Sequence, residues 1–139
     1  MKSFFCTTIG VVASFILQLF GGWDCTLATL VIFMAIDYVS GLLVAGIFKN
    51  SPKTKSGALE SNAGFKGLCR KGVILLIVLV AYRLDLMTGN NFIRNATIIA
   101  FIVNETISIT ENAGLMGIPI PNVILKAIDV LKNKSEETN

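Results

Sequence analysis

Asn104, Glu105, Ser108, Glu111 and Asn112 lie within an otherwise apolar stretch, FIVNETISITENAGLMGIPIP, at residues 101–121. Carboxylates, amides and a hydroxyl in such a setting can pair with one another, join helices or line a wet path. They are not arranged for catalysis. The chain has no histidine, and it shows no nucleophile–base pair, phosphate-binding loop or metal-ligand constellation. Cys6, Cys25 and Cys69 fall singly in or beside apolar segments with no CxxC spacing, and read as small apolar residues. No enzyme activity, cofactor or metal is expected, and no nucleic-acid partner.

Helical periodicity puts Asn104, Ser108 and Glu111 on one line and Glu105 and Asn112 on the adjacent one. Ile99, Ile102, Val103 and Ile109 fall on the other side. The seven Ile, Phe and Val residues between Ile98 and Ile109 favour insertion by about 3 kcal/mol in sum, which one mid-helix carboxylate roughly cancels. Such a helix is unstable in lipid alone. Its polar stripe must face protein, as glue between helices, or water, as the lining of an opening.

The elements that carry this stripe follow from composition. With 53% hydrophobic and 15% charged residues and a mean hydropathy of +0.71, the 139-residue chain reads as a small all-α, polytopic membrane protein. Four apolar runs, at about 4–21, 26–48, 72–88 and 92–116, approach the roughly 20 residues needed to cross a bilayer. Four transmembrane helices are predicted, three if the first does not span. A cleaved signal is the competing reading of the first run, but it lacks an A-x-A site and its apolar core is long. Residues 1–121 form the predicted membrane domain, and 122–139 a cytoplasmic helix and tail.

Between the second and third runs lies a basic loop, 49–71, holding Lys49, Lys53, Lys55, Lys66, Arg70 and Lys71 against the single Glu60. Retention of basic loops inside the cell predicts that this loop and both termini are cytoplasmic. Ten of the twelve Lys and Arg residues then share one side, with Arg83 and Arg94 elsewhere. Past Pro119 and Pro121, NVILKAIDVLKN places Val123, Ile124, Ala127, Ile128 and Leu131 on one face of a short amphipathic helix. The final KSEETN reads as a solvated tail.

Asp37, Arg83 and Glu105 each lie 11 residues from the inner end of their predicted spans, or about 16 to 17 Å deep. This common depth predicts a charge cluster in which Arg83 bridges Asp37 and Glu105, within or between subunits; the alternative is that Arg83 and Asp85 extend to the outer interface. Three small-xxx-small pairs, Gly10 with Ser14, Gly41 with Ala45 and Ala113 with Gly117, mark candidate helix-packing faces.

These residues carry a resemblance. NETISITENAGLMGIPIP resembles the C-terminal signature of the phage-lysis and toxin-secretion holin family, which includes clostridial toxin-release holins. IDYVSGLLVA, with Asp37 and Gly41, resembles the family's Asp-x-x-x-Gly span. SNAGFKGLCRKG resembles its basic loop through Ser61, Gly64, Gly67 and Lys71. The resemblance covers residues 36 to about 121 and is most specific in the last motif. It implies a protein that accumulates in the bacterial cytoplasmic membrane, forms homo-oligomers and opens lesions through which an endolysin reaches the wall or a large toxin leaves, with no direct contact with that cargo required. Two other classes fit parts of the pattern: a small proton-coupled exporter or ion channel, and a regulatory subunit of antiholin type. The one-sided distribution of Lys and Arg disfavours an exporter that inserts in both orientations.

Overall fold

The computed structural model describes residues 1–137, and the described residues are helical, with five helices and no strand. These are α1 (Lys2–Leu19), α2 (Cys25–Gly46), α3 (Ser61–Thr88), α4 (Ile93–Leu115) and α5 (Asn122–Glu136). Local chemistry sets each boundary. Gly21 and Gly22, with φ of 83° and 89°, end α1 in a left-handed turn, and Gly22 N–H bonds back to the Leu17 carbonyl at 2.9 Å. Asp24 caps α2 by accepting from Leu27 N–H at 2.8 Å. Gly89, at φ 68°, closes α3. Gly117, at φ 76°, closes α4, and Pro119 and Pro121 then hold the chain extended up to α5.

α4 is the hub, packed against α2, α3 and α5, whereas α2 and α3 touch each other only sparingly. Leu27, Leu30, Met34, Val78, Ile98 and Ile102 form the core, with Phe20, Phe33, Ile74, Leu75 and Phe101 against it. The inward positions of α2 (27, 30, 34, 37, 41, 44) and of α3 (64, 67, 71, 74, 78, 81, 85) alternate steps of three and four, the spacing of left-handed helix packing. α1 buries none of its side chains and has no comparable packing against the rest.

α1 and α2 are long and apolar enough to cross a membrane. α3 and α4, of 28 and 23 residues, have the length, but their charged and polar residues dilute the hydropathy. Three sequence expectations are corrected. The third helix starts at Ser61 rather than near 72, so Lys66, Arg70 and Lys71 are helical and not part of a loop. Gly64 and Gly67 do not break it, because both turn toward Tyr38, 3.6 and 3.8 Å from where a Cβ would sit. Gly117 lies beyond the end of α4, so it shapes a turn and does not pair with Ala113 on a packing face. The last helix extends through Glu136, taking in part of the expected tail; Thr138 and Asn139 fall outside the described residues.

Candidate functional site

Lys71 stands between two carboxylates. Its Nζ lies 2.7 Å from Asp37 Oδ2 and 2.6 Å from Glu105 Oε2, so one ammonium joins α2, α3 and α4. The three side chains are 13%, 8% and 7% exposed, in the order Lys71, Asp37, Glu105. Asn112, one turn pair beyond Glu105 on the same face of α4, donates from Nδ2 to Asp37 Oδ1 at 3.1 Å and to Ser40 Oγ at 2.8 Å. Ser40 Oγ in turn donates to the Asp37 carbonyl at 3.0 Å, and Ser108 sits beside the same carboxylate. With both acids ionised, the cluster is one positive charge short of neutrality, so it holds together by geometry and added donors.

Its height follows from helix rise. Asp37 is about 18 Å from the start of α2 and about 14 Å from its end, near mid-length. Arg83, the residue expected to bridge Asp37 and Glu105, does not do so within the chain. It lies twelve residues beyond Lys71, about 18 Å along α3 and rotated by about 120°, and it is exposed. α3 begins at Ser61 and not at residue 72, so Arg83 stands farther along the helix than its predicted depth. Continuing the inward spacing Asp85, Ala81, Val78, Ile74 back down α3 would have reached Lys71.

The polar stripe of α4 divides. Glu105 and Asn112 are buried against α2 and Ser108 is half-buried, whereas Asn104 and Glu111 are exposed on the outer surface. Gly41 and Ala45 line the close approach of α2 to this network: a Cβ on Gly41 would sit 3.8 Å from Asn112 Nδ2, and Ala45 is buried. Ser14 is exposed, and among the described residues a Cβ on Gly10 would meet nothing within 4 Å. Lys49, Lys53 and Lys55 remain in the loop before α3.

A second network, absent from the sequence expectations, closes the other end of the bundle. Arg94 is buried in the first turn of α4 and pairs through Nη1 with Asp24 Oδ2 at 2.7 Å. It also donates to the carbonyls of Phe20 and Gly22, holding the α1–α2 turn against α4. The Asp85 carboxylate accepts the N–H groups of Ile93 and Arg94, each at 2.9 Å, and so caps α4 from α3. Burial tends to raise the Asp24 pKa, but the Arg94 hydrogen bond, the Leu27 N–H and the Arg94 charge outweigh it and hold this carboxyl below its ordinary 3.8.

Among the described residues, an all-helical bundle with an ion network at mid-height and two helices long and apolar enough to cross a bilayer fits the class of helical membrane proteins. Its family is the bacteriophage holin family, to which the chain belongs: that family's sequence profile matches residues 14–133. The chain is similar to a probable holin of Bacillus phage phi105, 33% identical over 73% of this chain and 70% of that protein. It also resembles an uncharacterized protein of Clostridium perfringens strain 13, 37% identical over 94% of this chain and 93% of the relative. A third relative, an uncharacterized Listeria monocytogenes protein, is 40% identical over 86% and 80% of the two chains. No solved structure matches the chain. Membership supports a holin role and suggests a membrane protein that works without enzymatic chemistry.

Proposed function

We propose that this chain is a lesion-forming holin of the bacterial cytoplasmic membrane. α1 to α4 cross the bilayer, and the basic segment and both termini stay on the cytoplasmic side, as the bias of ten basic residues in twelve favours. Copies accumulate and assemble into homo-oligomers, and a critical assembly opens to release an endolysin or a large toxin. The membrane domain is residues 1–121, and α5 with the tail lies on the inner surface.

The observation that carries this reading is the unequal treatment of the α4 stripe. Lys71 shelters Asp37 and Glu105 inside the single chain, while Asn104 and Glu111 are left exposed on the outer face. At bilayer depth those two groups need either a neighbouring copy or water. Small assemblies satisfy them by pairing, and larger rings satisfy them by facing an aqueous opening.

The test is inducible expression in a bacterium, with and without a co-expressed endolysin. The expected result is abrupt loss of viability and membrane potential, followed by lysis only with the endolysin. Selective solute export without depolarisation would instead identify an exporter, and protection against a second holin would identify an antiholin.

A further inference from the structure

A cavity of about 560 Å³ opens between the C-terminal half of α2, the N-terminal half of α3 and the 47–60 loop. Lys71, Asp37 and Glu105 lie at its buried end. Leu42, Leu59 and Ile74 supply apolar wall. The exposed rim is different in character, because Lys53, Lys66 and Arg70 converge there. None of the three forms a salt bridge among the described residues. Glu60 is the one carboxylate of the lining outside the buried triad, and it accepts a hydrogen bond from Ser56.

The loop is built to hold Lys53 at this rim. Ser51 N–H bonds the Gly57 carbonyl at 2.9 Å. Gly57 is left-handed, and a Cβ there would sit 2.4 Å from the Lys49 carbonyl oxygen, so the turn closes only with glycine. On α3, Lys66 and Arg70 are four residues apart and share a face. Asp37 at the floor feels the Lys53 charge, but the four cations of the lining, Lys53, Lys66, Arg70 and Lys71, outnumber its three carboxylates, and the first turn of α3, which has no side-chain cap, adds its N–H groups to the same field.

We propose that this cavity binds a phosphate ester, with Lys53, Lys66 and Arg70 on the phosphoryl oxygens and the organic portion along Leu42, Leu59 and Ile74. The chemistry is an anion at the rim with an apolar body beside it, and the carboxylates at the floor keep the anion from going deeper. An anionic glycerophospholipid headgroup and a soluble phosphate ester both present it.

The experiment uses the full chain in phosphatidylcholine nanodiscs and measures retention of added phosphatidylglycerol by native mass spectrometry. A parallel arm titrates sn-glycerol 3-phosphate and reads thermal stabilisation. Wild type is expected to prefer phosphatidylglycerol to phosphatidylcholine, and K66Q/R70Q to bind about 25-fold more weakly, about five-fold per cation removed. The control K126Q/K132Q removes equal charge from α5 and is expected to bind as wild type does. Lipid retention without an effect of glycerol phosphate assigns the site to a lipid; stabilisation by glycerol phosphate assigns it to a soluble ester. Equal loss in both double variants, or no anion preference in either arm, overturns the proposal. If K66Q/R70Q does not fold, K53Q, which lies in the loop, reads the same outcome at about five-fold.

Discussion

At the scale of residues, the molecule turns on a lysine that shares itself between two acids. Removing one member of a buried ion cluster costs about 3–5 kcal/mol because the remaining charge is stranded. Lys71→Met is therefore expected to lower thermal stability in detergent steeply, and adding Asp37→Asn and Glu105→Gln to recover most of it. Arg83→Met, at an exposed site, is expected to shift stability by no more than about 0.5 kcal/mol. Equal effects of Lys71→Met and Arg83→Met in thermal unfolding would refute the bridge. The residue types were legible: Asp37, Glu105 and Asn112 stood out as polar groups in apolar helices. The partner was not, since Lys71 is one of six cations in a run that looked like a loop, and only its position on the inward face of α3 sets it apart.

The elements are held at one end by a polar clasp that works independently of the triad. Asp85 serves α4 as a cap from another helix, so Asp85→Ala is expected to cost about 1–2 kcal/mol, measured as a lowered thermal midpoint. Asp24 gives a pH dependence. Its folded pKa is below 3.8, so its contribution is complete above that value and is lost as pH falls through the folded value. Wild type is expected to lose stability on acidification below about pH 4 by a component absent from Asp24→Asn; identical acid profiles would count against the pairing with Arg94. Gly21 links the clasp to α3: at φ 83°, a Cβ would stand 2.9 Å from the Tyr82 ring. Both strain and clash oppose Gly21→Ala. None of these roles could be read from single segments, because Asp85 and Arg94 meet across the turn between α3 and α4 and Asp24 meets Arg94 across 70 residues.

For the whole molecule, the distinction is between groups the chain shelters and groups it leaves exposed. Glu105→Leu and Glu111→Leu remove the same charge from the same helix, yet should separate cleanly. Glu105→Leu is expected to shift thermal unfolding of the monomer, because it removes one of the two acceptors of Lys71 and leaves a neutral pair with Asp37. Glu111→Leu, with Asn104→Leu, is expected to leave thermal unfolding unchanged but to reduce the size of assemblies seen by cross-linking and to delay permeabilisation. Unaltered assembly size in that double variant would remove the basis for treating the outer stripe as a contact between copies. α1, none of whose residues is fully buried in its own chain, belongs to the same set of exposed surfaces.

The chain's apolar runs, its glycine and proline stops and its clustered basic charge determined by themselves an all-helical chain of membrane character, and the motifs around Asp37, Lys71 and Asn104–Pro121 pointed to the family. These are properties of local sequence, set by helical periodicity and by transfer between water and lipid. Which cation meets Asp37 and Glu105, which half of the α4 stripe turns inward and which helix caps α4 were decided only by tertiary structure. A buried charge is satisfied by whatever atom lies within about 3 Å, and that atom is chosen by the rotation and register of packed helices, quantities that a shift of a few residues in one helix start changes completely.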